Sequence, residues 1–195
     1  MRRAAAALLG LALLAGCGGG TEQQPLPARA PGVGPDARWR PPSLSPAVAR
    51  ALSVAGLGCS RGLGPKRFGV HLELFAARRV VIVAPGIGVA PPRTRVGAYV
   101  RGGRCAYPVR TREPTGVVEV EPGRRLTLGH LFAVWGQPLS RSRLAGFRGS
   151  VEAFVAARRW AGDPRAIPLT RHAQIVLEVG GHVPPHARYR FPPGL

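Results

Sequence analysis

Apolar and polar side chains alternate from Phe68 to Phe75. Phe68, Val70, Leu72 and Leu74 fall on one face, and His71 and Glu73 fall on the other. A period of two over this length predicts a half-buried strand. Ala76-Ala77-Arg78 follows as a turn, and residues 79–84 read as the return strand, ended by Pro85-Gly86-Ile87-Gly88. Residues 105–110 and 116–120 predict two further strands, and residues 151–156 and 174–179 another two. The period changes after Thr127. Leu128, Leu131, Phe132 and Trp135 stand at i, i+3, i+4 and i+7, the apolar stripe of a helix. Thr127 is placed to cap that helix, and Gly136-Gln137-Pro138 stops it. Ser45-Pro46 opens a short helix through Leu52, with Ser45 as N-cap and Pro46 at the first helical position. Residues 56–64, 91–103 and the tail 184–195 are rich in glycine, proline or arginine and read as loops or extended chain, while Ser140 is a candidate cap for one more turn. No tandem repeat is present.

Strands, one main helix (128–135) and then more strands give an α+β fold dominated by its sheet. The last stretch, strand, loop with Ile167-Pro168-Leu169, strand, is similar to the closing part of a β-grasp sheet; a β-sandwich is the alternative.

Ahead of this domain the pattern is different. Met1-Arg2-Arg3 is basic, residues 4–14 are apolar, and Leu14-Ala15-Gly16-Cys17 follows. Such a run is too short to span a hydrocarbon core, which needs ~20 helical residues, and it has the layout of a cleaved export signal. Leu-Ala-Gly-Cys resembles the bacterial lipobox. That resemblance implies cleavage after residue 16, acylation of Cys17 with palmitate-type chains, and a position on the extracytoplasmic face of the cell membrane. Plain secretion is the alternative. Residues 17–42 lack apolar periodicity and read as a flexible tether, leaving residues 43–195 as one globular domain with an extended proline-rich tail.

Composition changes this picture in two ways. The formal net charge is +19, and arginine supplies nearly all of it, because Lys66 is the only lysine. The arginines are scattered as pairs such as Arg78-Arg79 and Arg158-Arg159 and form no stripe interleaved with aromatics, unlike a single-strand binder. Export argues further against nucleic acid. The charge reads first as a solvated surface, and as the alternative it favours anionic lipid or an acidic envelope polymer, in a salt-dependent way. The second change concerns cysteine. With Cys17 taken by lipid, Cys59 and Cys105 are the two remaining thiols. In an oxidising compartment they are expected to pair, closing a loop of about 46 residues worth ~3–4 kcal/mol on the chain-entropy model. Two buried free thiols are the alternative.

Signatures of catalysis are absent from the sequence. It has no nucleophile elbow, phosphate loop, Cys-x-x-Cys or His-Glu-x-x-His, so no cofactor and no enzymatic activity are expected. His130 on the helix reads as a surface or partly packed residue. His182 and His186 are separated by Pro184-Pro185, so helical ligand spacing does not apply. Glu119 and Glu121 share a strand face and could serve acid–base chemistry, or pair with Arg110, Arg112 and Arg124.

His71-Leu72-Glu73-Leu74-Phe75, Pro85-Gly86-Ile87-Gly88, Cys105, Thr115-Gly116-Val117-Val118-Glu119-Val120-Glu121, Leu128-Gly129-His130-Leu131-Phe132-Ala133-Val134-Trp135-Gly136 and Gly162-Asp163-Pro164 come in this order. Together they resemble a family of uncharacterised bacterial secreted proteins and lipoproteins, over about residues 57–180. The family is similar in having a histidine-rich strand around position 71 and a His-Thr-His-Asp segment followed by Gly-x-x-His-x-Glu. Its members also carry a Leu-Gly-x-x-Phe-x-x-Trp-Gly helix. The histidines imply a metal site, since neutral imidazoles suit Zn, Cu or Fe.

This chain departs from that pattern. Arg67 and Gly69 replace upstream histidines, Arg110-Thr111-Arg112-Glu113 stands in place of His-Thr-His-Asp, and Glu119 replaces another histidine. His71 remains, with His172 farther on, as residual metal candidates. Arginine donates only and cannot ligate a cation. Three readings follow for His71, Glu73, Arg110, Arg112, Glu113 and Glu119: an inert salt-bridge cluster, an anion site on Arg110 and Arg112, or a residual metal site on His71 and His172. The corresponding functions are a lipid-anchored, non-catalytic binding or interaction domain, an anion or envelope-polymer binder, and a metal-binding protein.

Overall fold

A computed structural model describes residues 43–61 and 66–195. The expected signal segment, Cys17 and the tether lie outside the described residues. No helix among the described residues is long and apolar enough to cross a membrane.

The elements are α1 (Pro46–Arg50), β1 (Phe68–Ala76), β2 (Arg79–Val80), β3 (Val109–Thr111), β4 (Val117–Val120), α2 (Leu128–Trp135), β5 (Val151–Val155), β6 (Arg158–Arg159) and β7 (Gln174–Val179). The seven strands form one mixed sheet in the order β6-β5-β7-β1-β4-β3, with β2 paired to the end of β1. At its centre β1 and β7 run parallel, Gln174 opposite His71 through Val179 opposite Ala76. The flanking pairs β1–β4, β4–β3, β7–β5 and β5–β6 are antiparallel. This is the sheet-dominated α+β class that the alternating strands and the 3.6-period helix predict.

Pleating separates the two faces of the sheet. Val70, Leu72 and Leu74 of β1 and Ile175, Leu177 and Val179 of β7 face α2, whose Leu128, Leu131, Phe132, Val134 and Trp135 are buried in the same core cluster. Each such side chain contributes ~1.5–3 kcal/mol by leaving water. The helix ends at Gly136, in the left-handed region (φ 73), where an added Cβ would lie 2.4 Å from the Cβ of Ser45. Glycine is thus needed both for the turn and for the close approach of α1.

Several predicted elements are corrected. Residues 91–103 are not a loop: Thr94–Val96 and Tyr99–Gly102 form a hairpin, with Val96 opposite Tyr99. The proline and glycine content that suggested a loop instead supplies the entry at Pro91-Pro92 and the turn at Gly97 (φ 57). Residues 56–64 likewise hold Leu57–Gly58, paired with Ser53–Val54. The strand expected over 105–110 begins only at Val109. Its earlier half bonds elsewhere, Ala90 N to the Cys105 carbonyl and Tyr107 N to the Gly88 carbonyl, and Pro108 has no N–H to give a ladder. Beyond Val80 the return strand leaves register after Val81 N donates to the Leu74 carbonyl (2.7 Å). Ser140 does cap a further turn: its Oγ accepts the Ser142 N–H (3.2 Å) where Leu139–Ser140 folds back to pair with Arg143–Leu144 in a small three-stranded sheet.

Cys59 and Cys105 form the expected disulfide, with Cα atoms 5.5 Å apart. It ties the segment before β1 to the segment before β3.

Candidate functional site

The face of the sheet opposite α2 carries the charged and polar residues among the apolar Phe75, Val117, Phe154 and Val176. Register places Arg110 (β3) opposite Glu119 (β4), and Glu119 opposite Gly69 (β1). In the next rows His71 lies between Val117 and Gln174, Glu73 beside Val176, and Phe75 beside Glu178, which lies opposite Glu152. Period two brings these residues to one surface although they are distant in sequence.

Glu119 is the centre of the first row. Arg110 Nε donates to Glu119 Oε2 (2.8 Å) and Arg112 Nε to Oε1 (2.9 Å). Arg67 Nε stands 3.4 Å from Oε2. Three guanidinium groups therefore surround one buried carboxylate, and Arg110 itself is almost wholly buried. Burial lowers the Arg110 pKa from its ordinary value, and Glu119 opposes the shift. The donors are not all aligned. Arg110 Nη2 approaches Oε2 to 2.7 Å, yet neither it nor Arg67 Nε points a hydrogen at an acceptor among the described residues. Ion-pair proximity holds where hydrogen-bond direction does not.

Arg112 also reaches outward. Its Nη1 donates to the Arg101 carbonyl (2.5 Å) and, at 3.3 Å, to that of Val100, and its guanidinium carbon lies 5.6 Å from the Tyr99 ring centre. Val100 N donates to the Arg112 carbonyl (2.8 Å). One side chain thus joins the buried carboxylate to the exposed 94–102 hairpin.

His71 has both ring nitrogens engaged. Nε2 lies 2.9 Å from the Thr115 carbonyl, and Nδ1 lies 2.8 Å from Gln174 Oε1. A neutral imidazole has one N–H, and the fixed carbonyl accepts it. Gln174 therefore serves Nδ1 best with its NH2 turned toward the ring. That orientation also gives a partner to Gln174 Nε2, which otherwise is buried with none. Burial is the main cause that lowers the His71 pKa from its ordinary 6.5, against the upward pull of Glu73 and Thr115. Gly116 (φ 80) holds the neighbouring turn, and a Cβ there would meet the Leu72 carbonyl at 2.4 Å.

The C-terminal segment crosses this face as a strap. The Tyr189 ring stacks on His71 (3.6 Å between centroids, 9° between planes), Phe191 meets Tyr189 edge-on, and Phe191 stacks on His172 at 4.7 Å. Phe191 occupies the space above Gly69, where a Cβ would lie 2.4 Å from its ring. His172 Nε2 bonds the Leu195 carbonyl (2.8 Å) and His186 Nδ1 donates to Glu73 (3.0 Å). Burial first, then the charges of Glu113 and Glu73, raise the Tyr189 pKa.

No family model, curated protein or solved structure matches this chain.

The geometry must therefore speak through its own chemistry. Of the six residues expected to cluster, Arg110, Arg112 and Glu119 meet directly. His71 lies one row away on Gln174, Glu73 is drawn to His186, and Glu113 acts on Tyr189. The donor set around Glu119 does not fit a cation, since guanidinium cannot ligate one and would repel it. His71 and His172 are bridged by the Tyr189–Phe191 stack, not by a shared open position. A different trio, Glu152, Glu178 and His182, has one ligand atom each within 4.8 Å of one another. Within the fold those atoms are already satisfied: Arg159 on Glu152 (2.6 Å), and His182 (2.9 Å) with the Val183 N–H (3.1 Å) on Glu178.

Sequence reasoning missed the strap and left Arg67 out of the expected cluster, although the resemblance set it at a histidine position. Arg67 precedes the alternating run and carries no periodic signal. Tyr189, Phe191 and His186 lie among prolines, where composition says only that the chain is extended. His130 is partly packed as expected, and its Nδ1 accepts the Thr127 N–H (3.0 Å), closing the first turn of α2.

Proposed function

We propose that this chain is a lipid-anchored extracytoplasmic domain that binds or docks and does not catalyse, a divergent member of the secreted family it resembles. The observation that carries this reading is the closure of its polar face. Both carboxylate oxygens of Glu119 are held by Arg110 and Arg112, and both nitrogens of His71 are engaged beneath Tyr189. Groups committed in this way are costly to redeploy for chemistry. The ion cluster then serves geometry in place of the family's metal, a role that buried pairs fill without necessarily adding stability.

We read the sheet as β-grasp-like. Support comes from the parallel central pair of first and last long strands, with α2 between β4 and β5 in sequence. A sandwich would need a second sheet where α2 or the strap lies.

Mass spectrometry of the mature N-terminus tests the anchor: a diacylated Cys17 is expected, and an unmodified peptide beginning elsewhere overturns it. Metal analysis of the purified protein tests the rest. Stoichiometric Zn or Cu whose binding is lost in His71→Ala would replace the ion-cluster reading by a metal site.

A second reading has one specific support. Three guanidiniums face one carboxylate, and two of their buried N–H groups lack a directed acceptor. Such an excess suits a small anion or the acidic groups of an envelope polymer. Stabilisation of the parent by millimolar inorganic phosphate, lost in Arg110→Met, would favour it over an inert cluster.

A further inference from the structure

The hairpin of Thr94–Val96 and Tyr99–Gly102 is the least covered element around the ion cluster. Val96 and Tyr99, cross-strand partners at its tip, are 56% and 39% exposed. Adjoining exposed apolar side chains with polar residues at their rim are the layout of an interaction site. Arg95 and Arg101 flank them and are exposed, as is Arg104 just beyond. Between Glu73 and Glu113 the chain contains no acidic residue. The tip therefore offers one aliphatic and one aromatic side chain with exposed arginines close by in sequence on both strands.

Its base is rigid. Val100 is fully buried, and Arg112 clamps the Val100 and Arg101 carbonyls while anchored on Glu119. The turn is made by Gly97, whose positive φ matches the first central position of a two-residue hairpin turn. The clamp makes the hairpin a fixed projection rather than a pliable loop, so ordering it on contact costs little.

We propose that this hairpin docks on an anionic lipid surface, with Val96 and Tyr99 entering the headgroup boundary and Arg95, Arg101 and Arg104 pairing with lipid phosphates. The chemistry is complementary on both counts. Tyrosine prefers the boundary between apolar and aqueous layers. Arginine stems lie along apolar surface while their heads reach phosphate, to which the guanidinium fork binds bidentately. The inference rests on the reading of the chain as membrane-tethered. A weak second contact gains from such a tether, because the anchor raises its effective concentration at the surface.

The test removes the anchor so that the two readings fail separately. The mature chain, beginning at residue 17 and carrying Cys17→Ser, is sedimented with phosphatidylcholine vesicles and with vesicles containing about 30% phosphatidylglycerol. Binding only to the anionic vesicles is expected. In Val96→Asp/Tyr99→Asp it should fall more than ~tenfold, since two buried apolar groups are lost. Val96→Asp alone, which leaves the Tyr99–Arg112 contact in place, should give a smaller loss and keep the parent's unfolding midpoint. Part of the parent's binding should survive ~0.5 M salt, where purely screened attraction does not. Failure to bind anionic vesicles overturns the proposal. So does binding that both variants retain in full, because that marks diffuse surface charge or affinity for an acidic polymer. Neither result bears on Cys17, whose acylation is read by mass spectrometry of the native chain.

Discussion

Glu119 carries an unusual load for one residue. It is the only carboxylate within ion-pair distance of Arg67, Arg110 and Arg112 among the described residues, and Arg110 is buried too deeply to find water instead. Glu119→Gln keeps the shape and removes the charge, leaving the Arg110 guanidinium buried and uncompensated. Breaking a buried pair from one side costs ~3–5 kcal/mol. Denaturant unfolding should show a loss of that order, and Arg110→Met/Glu119→Gln should recover part of it; a loss below ~1 kcal/mol would mean that the cluster is solvated. His71 makes a second prediction, in pH. Its folded pKa is lowered by burial, so the unfolded chain takes up the proton first as pH falls. The contribution of neutral His71 is therefore complete above about pH 6.5 and is lost as pH falls below it. Glu73, His186 and Tyr189 face the same ring and remain in His71→Gln, which should flatten the stability-against-pH curve below ~6.5. At this scale the sequence shows the Arg110–Glu119 pairing well, because both residues lie on alternating strands with the same inward parity. It does not show that Gln174 and Thr115 hold His71. Those contacts depend on the parallel β1–β7 register, and no local pattern encodes it.

At the scale of elements, the turns are where the chain departs from its own best chemistry. Ala77 and Arg78 between β1 and β2 have φ 49 and 61, and Ala156 and Ala157 between β5 and β6 have φ 48 and 62. Two consecutive positive values give the mirror-image turn that matches strand twist, normally built from Asn-Gly. A residue with a Cβ pays roughly 1–2 kcal/mol there. Arg78→Gly and Ala157→Gly should each raise the unfolding free energy by ~1 kcal/mol, with no change in the denaturant slope. A loss of stability in either variant would show that the left-handed conformation is not adopted in solution. The same physics explains why some elements are legible and others are not. Residues 174–179 coincide with β7 because six apolar-rich positions are buried on both faces. The 94–102 hairpin is obscured because its tip is exposed and its strands carry arginine, so no face repeats. Residues 105–108 look like a strand by composition, but beside Pro108 and the disulfide at Cys105 their hydrogen bonds go to Gly88 and Ala90 on one side and to Ser60 on the other.

For the molecule as a whole, the strap decides how the second face meets solvent. The main core lies between α2 and the sheet, and residues 184–195 contribute to the opposite side through Tyr189, Phe191, His186 and Leu195. Removing residues 184–195 should accordingly leave a cooperatively folding domain. The cost comprises the two aromatic rings, each ~1.5–3 kcal/mol when fully buried and less for these half-covered ones. Three consequences should appear together. His71 loses the ring stacked on it and the His186 charge near it, so desolvation weakens and its titration, followed by NMR, moves up toward the ordinary imidazole value. Acid sensitivity should diminish for the same reason, since the folded and unfolded pKa values converge. The surface bared at Gly69, His71 and His172 should become accessible to a hydrophobic dye that the parent excludes. A shifted unfolding midpoint with an unchanged His71 titration would instead mean that the strap stabilises the domain without covering the imidazole in solution. Phe191→Ala gives a finer version of the same experiment. It removes the ring above Gly69 and beside His172 but keeps Tyr189 on His71, so it should lower stability while leaving most of the His71 shift in place.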